Sequence, residues 1–191
     1  MALSLDPRIQ RTRQLLRQAL KALLAEQGFE ELTVQDIADR ATVNRATFYD
    51  HFVDKAALLE ELIEDSFRQM LRKREIEVAT GCAGSVQRLM LAVCDYLAEL
   101  GGRCPEGSRQ LMPVAEAKIK ETVREILLQD LRKRTEKPEL AATVASWAIY
   151  GVALEWSRSD RAQSAEAFTE AALPLIAASL KMAAPGGCPG K

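Results

Sequence analysis

The stretch TVNRATFYDHF, residues 42–52, decides how the first third of the chain is read. Phe48 and Phe52 lie four residues apart, one helical turn, and so share a face. Arg45, Thr47 and Tyr49, with Asn44 and Ala46, face away from it or sideways. A helix this short is not stable alone. Two aromatic rings must pin it to neighbours, and its remaining surface is then free to touch something else. The neighbours precede it. In LTVQDIADRA, residues 32–41, Thr33 with Asp36 three residues on is a variant of the capping box, and Ile37, Ala38 and Ala41 give an apolar face. Before that, Asp6-Pro7 opens a longer helix carrying Leu16, Ala19, Leu20, Leu23 and Leu24 at helical spacing. Gly28 is expected to end it as a left-handed residue, with Phe29 folding back on Leu24. Thr42 and Val43 make a tight turn into the helix that Asn44 caps. One long and two short helices in this order form a helix-turn-helix.

The bulk composition agrees with an all-α chain. Of 191 residues, 48% are hydrophobic but only 5% aromatic, and Gly and Pro are sparse. The net charge of −1 excludes a global basic field. Locally, Arg8, Arg11, Arg13, Arg17 and Lys21 form an acid-free stripe able to bind phosphate. No leader and no uncharged membrane-length run is visible, so a cytoplasmic protein without a membrane partner is expected. Cys82, Cys94, Cys104 and Cys188 lack metal or redox spacing and are read as plain thiols. With one His, no Glu-x-x-His and no nucleophile–base pair, neither metal, cofactor nor enzymatic activity is expected.

Further helices are expected over 54–76, 85–100, 113–134, 138–157 and 163–182, the last broken or bent at Pro174. Gly101 to Gly107 is read as a loop and 184–191 as a disordered tail. The domains are therefore placed at 6–53 and 54–183.

On the wheel, the short helix suits a DNA major groove. Arg45 matches O6 and N7 of guanine, a contact worth about 1–3 kcal/mol of discrimination. Thr47 would meet phosphate or a thymine methyl. Tyr49, His51 and Lys55 would lie at phosphates, and the helix start at Thr33 at another. Taken singly, Tyr49 would be a core aromatic, His51 a surface residue and Arg45 a solvated charge; together they form a set.

That set resembles the TetR family of bacterial transcriptional regulators. The match runs from Leu16 to about Leu62 and is carried by Gly28-Phe29, LTVQDIADRATV (32–43), TFYDHF (47–52) and DKAALL (54–59). The resemblance implies an all-helical homodimer: a three-helix DNA-binding domain, then a domain for dimerisation and small-molecule sensing. By position it implies DNA contacts at Thr33, Arg45, Thr47, Tyr49, His51 and Lys55; Asn44 is added from the wheel. Two residues depart from the family pattern. Thr42 stands where Gly is common, so the turn is expected to avoid positive φ or to be strained. Asp50 puts an acid beside the DNA surface; it is read as turned away from the groove, the alternatives being acceptance from cytosine N4 or repulsion of phosphate.

In the second domain, small residues with Leu140, Val144, Trp147, Leu173, Ile176 and Leu180 are read as a four-helix interface between two chains, or else as an internal core. Phe67, Tyr96, Met112, Trp147 and Tyr150 are candidates to line a pocket for an apolar effector, with Trp156 and Phe168 as further aromatics. Trp147 and Tyr150, three apart, are expected to face together. The function implied is a ligand-responsive regulator, a repressor by preference. The rival classes are a helical protein-interaction module and a small helical-bundle enzyme.

Overall fold

A computed structural model describes residues 6–74, 83–103, 111–133, 135–159 and 163–180. Residues 184–191, Cys82, Cys104, Cys188 and most of the 101–107 loop, for which the sequence carries expectations, lie outside the described residues. Eight helices and no strands occur among those described.

Asp6 caps α1 (Pro7–Leu23), its carboxylate accepting from the Arg8 N–H at 2.9 Å, and Pro7 occupies the first turn. Leu16, Ala19, Leu20 and Leu23 form its buried stripe. The helix ends without a left-handed glycine: Leu24 is right-handed, and Gly28 does not adopt positive φ. That expectation is corrected, because successive turns at Ala25, Glu26 and Gln27 bond back to Ala22 and Leu23 and wind the chain out gradually. In α2 (Val34–Arg40) the reciprocal capping box forms: Thr33 Oγ1 accepts from the Asp36 N–H at 3.2 Å and Asp36 Oδ2 accepts from the Thr33 N–H at 2.8 Å.

The turn out of α2 is strained. Thr42 has φ 57°. Its N–H donates to Asp39 O, and the Val43 N–H reaches back to Ala38 O, each at 3.0 Å. This is the Schellman pattern, with a β-branched residue in the left-handed position normally given to Gly. The left-handed conformation costs a non-glycine residue about 1–2 kcal/mol, partly offset by the extra unfolded-state freedom of Gly. Thr42→Gly should therefore stabilise the turn by about 0.5–1 kcal/mol and raise the melting midpoint by a few degrees. An unchanged or lower midpoint would show that Thr42 carries no strain.

The turn delivers the chain to α3 (Arg45–His51), capped by Asn44 Oδ1 accepting from the Ala46 N–H at 2.9 Å. Phe48 is fully buried and Phe52 nearly so, their rings 5.9 Å apart. α1, α2 and α3 pack against one another around Leu20, Phe29, Leu32, Ile37 and Phe48.

Asp54 caps α4 (Lys55–Lys73) by accepting from the Ala57 N–H at 2.8 Å. The chain divides into two compact units within this helix, after Asp65, not at its start where the sequence placed a boundary. The reason is electrostatic as well as apolar. Leu58 and Leu59 are buried, and Glu61 binds both Arg13 and Arg17 of α1, with Asp65 3.9 Å from Arg17. The first half of α4 thus belongs to the N-terminal unit, together with Arg103 and residues 111–115.

Among the described residues, the second unit comprises 66–74, 83–102 and those from 116 to 180. It holds most of α5 (Ala83–Arg103) and α6 (Leu111–Leu131), with α7 (Pro138–Arg158) and α8 (Ala165–Ser179). α5 continues through Gly101 and Gly102, which the sequence assigned to a loop; α8 continues through Pro174. α7 and α8 pack along each other, and the Trp156 indole N–H secures their connection by donating to Gln163 O at 2.9 Å. Among the described residues no buried side-chain polar atom lacks a hydrogen-bond partner, and no helix is long and apolar enough to cross a membrane.

Candidate nucleic-acid interface

The two phenylalanines orient everything else on α3. At about 100° per residue, Phe48 and Phe52 define the buried direction. Arg45, Ala46, Tyr49 and Asp50 are exposed, while Thr47 and His51 on one flank are half-buried. On the other flank Arg45 and Tyr49 stand one turn apart. The Arg45 guanidinium donates to the Tyr49 hydroxyl at 3.3 Å and lies 5.6 Å from its ring centroid. Tyr49 itself meets Phe48 edge-on at 5.5 Å. A chain of contacts therefore runs from the buried anchor to the exposed arginine and narrows the positions the guanidinium visits.

Asn44 spends only its carbonyl oxygen on the cap. Its two N–H donors have no partner among the described residues and face solvent. Thr33 differs. Its hydroxyl accepts from the Asp36 amide and donates to Asp36 Oδ2 at 2.6 Å, so its single proton is already used. These bonds from Thr33, side chain first, hold the Asp36 carboxyl below its ordinary range.

Lys55 has a different task from the phosphate contact expected of it. Its ammonium donates to the carbonyls of Phe29 at 2.9 Å, Glu30 at 3.2 Å and Leu32 at 2.7 Å, and sits 4.8 Å above the Phe29 ring. All three donors are consumed. Lys55 knots the start of α4 to the α1–α2 connection. Lys55→Met keeps the stem but orphans these carbonyls, and should destabilise the N-terminal unit by about 1–3 kcal/mol. A variant with unaltered unfolding but a shallower salt dependence of DNA binding would return Lys55 to the phosphates.

The basic stripe is likewise only partly available. Arg13 pairs with Glu61, donates to the His51 carbonyl at 3.1 Å and lies 4.4 Å from the Phe52 ring centroid. One guanidinium thereby links α1, the end of α3 and α4. Arg17 shares Glu61. Arg40 is bidentate to Glu26, at 2.8 and 2.7 Å, and this hydrogen-bonded pair lowers the Glu26 pKa and raises that of Arg40. The positioning role of Arg13 and Arg17 was missed, although the spacing carries a signal: both arginines, and their partners Glu61 and Asp65, are four residues apart. Among the described residues, Arg8, Arg11, Lys21 and Arg45 have no carboxylate partner.

Comparison with known proteins bears on the same segment. Residues 16–62 match the model described as bacterial regulatory proteins, tetR family, a span covering the second half of α1 to the first half of α4. This N-terminal segment is similar to the TetR family. The chain is 38% identical over 68 residues, 35% of its length, to the uncharacterized HTH-type transcriptional regulator YxbF of Bacillus subtilis. The curated relatives it matches are covered over only 18–34% of their own length. Over the whole fold, a TetR-family regulator from Streptomyces coelicolor superposes with a TM-score of 0.65 at 18% identity, covering 94% of this chain and 99% of that one. The regulator FadR of Bacillus subtilis, solved with stearoyl-CoA, gives 0.52 at 17% identity, covering 87% and 98%.

The residues proposed from sequence to line an effector pocket differ in exposure. Phe67 and Tyr96 are buried, with ring centroids 5.3 Å apart and the Tyr96 hydroxyl 2.6 Å from Ser66 Oγ. Tyr150 is buried too, and desolvation, with Glu116 adding repulsion, pushes its hydroxyl pKa up to about 12. Trp147 does not join them. It is 61% exposed, three residues from Tyr150 yet on the outer side, with the Lys120 ammonium 3.6 Å from its ring and 5.7 Å from that of Tyr150. Met112, 39% exposed, belongs to the segment of α6 in the N-terminal unit. A large apolar residue at helical spacing marks an apolar face, and cannot tell an interior from a surface awaiting a partner. The same applies to the helices around them. Leu173, Ile176 and Leu180 are buried within their own unit, whereas Leu140, Val144, Trp147 and Leu175 are exposed. Cys94 is buried, and burial, reinforced by Asp95, drives its thiol up to about 12, which leaves it protonated and inert at neutral pH. Among the described residues no three His, Cys, Asp or Glu side chains cluster as a metal site.

Proposed function

We propose that the protein is a ligand-responsive transcriptional repressor that binds a palindromic operator as a homodimer in the cytoplasm. The observation that carries this is the division of α3: Phe48 and Phe52 sealed inside, and Arg45, Ala46, Tyr49 and Asp50 presented outside. A rigidly seated helix with its polar face free suits the major groove. Arg45 reads guanine, Thr47, His51 and the Asn44 amide donors meet one strand, and Tyr49 meets the other backbone. Arg8, Arg11 and Lys21 add longer-range attraction. Lys55 and Thr33 act indirectly by holding α4 and α2 in place.

One such helix reads too few base pairs, so a two-fold dimer is proposed, with recognition helices about 34–36 Å apart or a multiple of that. Its support is the exposed stripe of Leu140, Val144 and Trp147 on one face of α7, with Leu175 on α8. An effector with an apolar body would bind in the second unit near Phe67, Tyr96 and Tyr150, whose two hydroxyls supply polar tips. It would act by differential affinity for two dimer spacings, and α4, a single helix carrying residues of both units, would transmit the shift. Occupying an operator excludes other proteins from it, which favours repression.

The test is fluorescence anisotropy of the full chain on DNA flanking its coding region, as a function of salt. A sequence-selective complex that weakens steeply with salt is expected. Binding that ignores sequence, or no binding at low salt, would favour a protein-interaction module. Arg45→Ala should relax the base preference at one position per half-site by about 1–3 kcal/mol; unchanged operator selection would remove Arg45 from base readout.

A further inference from the structure

On the assumption that α3 enters the groove as proposed above, we infer that Asp50 is a specificity-determining residue that selects a cytosine in each operator half-site. The geometry reverses the orientation expected for it. Asp50 lies about 200° around the helix from Phe48 and about 160° from Phe52, directly opposite the anchors. Ala46, one turn earlier, shares this central line. Arg45 and Tyr49 border it on one side, Thr47 and His51 on the other. The residues at the middle of the presented face are thus a methyl group, which lets the helix approach closely, and a carboxylate. Asp50 is exposed and has no hydrogen-bond or ion-pair partner among the described residues. It serves no local purpose either. It is in the last turn of α3, where the carbonyl ends of the helix make an anion unfavourable.

A carboxylate accepts hydrogen bonds and donates none. Most major-groove edges also accept: guanine through N7 and O6, thymine through O4, adenine through N7. Against these Asp50 is repelled. Cytosine offers the N4 amino group, with only a C–H on its outer side. Adenine offers N6, but flanked by N7 and by the thymine O4 of its pair, acceptors on both sides. The selection therefore works largely by exclusion. It leaves cytosine as the base that satisfies the carboxylate.

The experiment is selection of duplexes from a randomised pool by the full-length protein, in parallel with Asp50→Asn and Asp50→Ala. The wild-type chain should enrich a palindrome with cytosine at one position per half-site. A single-base series should show about 5- to 150-fold preference there, the range of one good base contact. Asp50→Asn should move that position toward adenine, which an amide bonds at N6 and N7. Asp50→Ala should level it, leaving the other positions intact. Pyrimidin-2-one in place of that cytosine, which lacks the 4-amino group, should weaken the wild-type complex and leave Asp50→Ala unaffected. This arm probes the contact from the DNA side, whatever the folding of one variant. A wild-type motif retained unchanged by both variants would overturn the role of Asp50 and keep the regulator. Failure of the wild-type chain to enrich any motif would overturn the regulator itself, and Asp50 with it.

Discussion

Phe48→Ala should cost the N-terminal unit about 3–5 kcal/mol, the largest effect expected of any single truncation there. Phe48 is fully buried and touches Tyr49 edge-on and Phe52 obliquely. α3 has only seven residues, so its own hydrogen bonds cannot maintain it. Its helical state is a tertiary property, and Phe48 is the main side chain through which that property is enforced. Typical domains of this size have only a few kcal/mol to lose. Urea unfolding followed by circular dichroism should show the first transition at much lower denaturant, and operator binding should vanish before the second unit unfolds. Phe48→Leu, which refills most of the volume, should recover a large part of both. A Phe48→Ala protein with an unmoved midpoint would mean that α3 is held by something other than its rings.

The second large effect concerns the proposed dimer. Trp147→Ala should raise the dimer dissociation constant by about 1,000-fold. Exposed in the isolated chain, on the same stripe of α7 as Leu140 and Val144, Trp147 has the size and rigidity of an interface anchor. Such an anchor contributes about 2 kcal/mol or more, and a two-fold interface contains it twice, giving about 4 kcal/mol in total. The variant should fold normally, because its side chain lies largely outside the core; the loss within one chain includes the contact with Lys120. Sedimentation velocity over a dilution series would measure the shift. Operator affinity should fall in step, because one recognition helix cannot span a palindrome. A wild-type chain that sediments as a monomer, or a variant that dimerises as before, would move the interface elsewhere.

Much of the N-terminal unit was legible from sequence because its signals are local. The capping box at Thr33 and Asp36, the Asn44 cap and the paired phenylalanines each depend on residues within four positions of one another, and hydrogen-bond and rotational geometry over that range is nearly invariant. Thr42 is instructive in the other direction. Sequence allowed two outcomes for a β-branched residue in that turn, and the folded chain takes the strained one, with φ of 57° at Thr42, where the Schellman bonds of Thr42 and Val43 call for a left-handed residue. Gly28, by contrast, resembled a helix terminator yet takes no left-handed conformation.

Long-range pairing was not legible. That Lys55 would spend its charge on the carbonyls of Phe29, Glu30 and Leu32, or Arg13 on Glu61 and His51, follows from separations of more than twenty residues closed by packing. Chemistry alone offers a lysine or arginine both carboxylate and phosphate as partners. Which it meets is settled by where the helices bring its tip.

By itself the sequence determined the all-helical class, the three-helix head and the two aromatic rings that seat α3, because these follow from periodicity and capping. Only the tertiary structure decided which apolar side chains face inward, as for Tyr150 against Trp147, and which charges remain available, as for Arg45 and Asp50 against Lys55 and Arg13. Periodicity defines a face but not what covers it; that depends on the neighbouring helices, and their placement is a property of the folded chain.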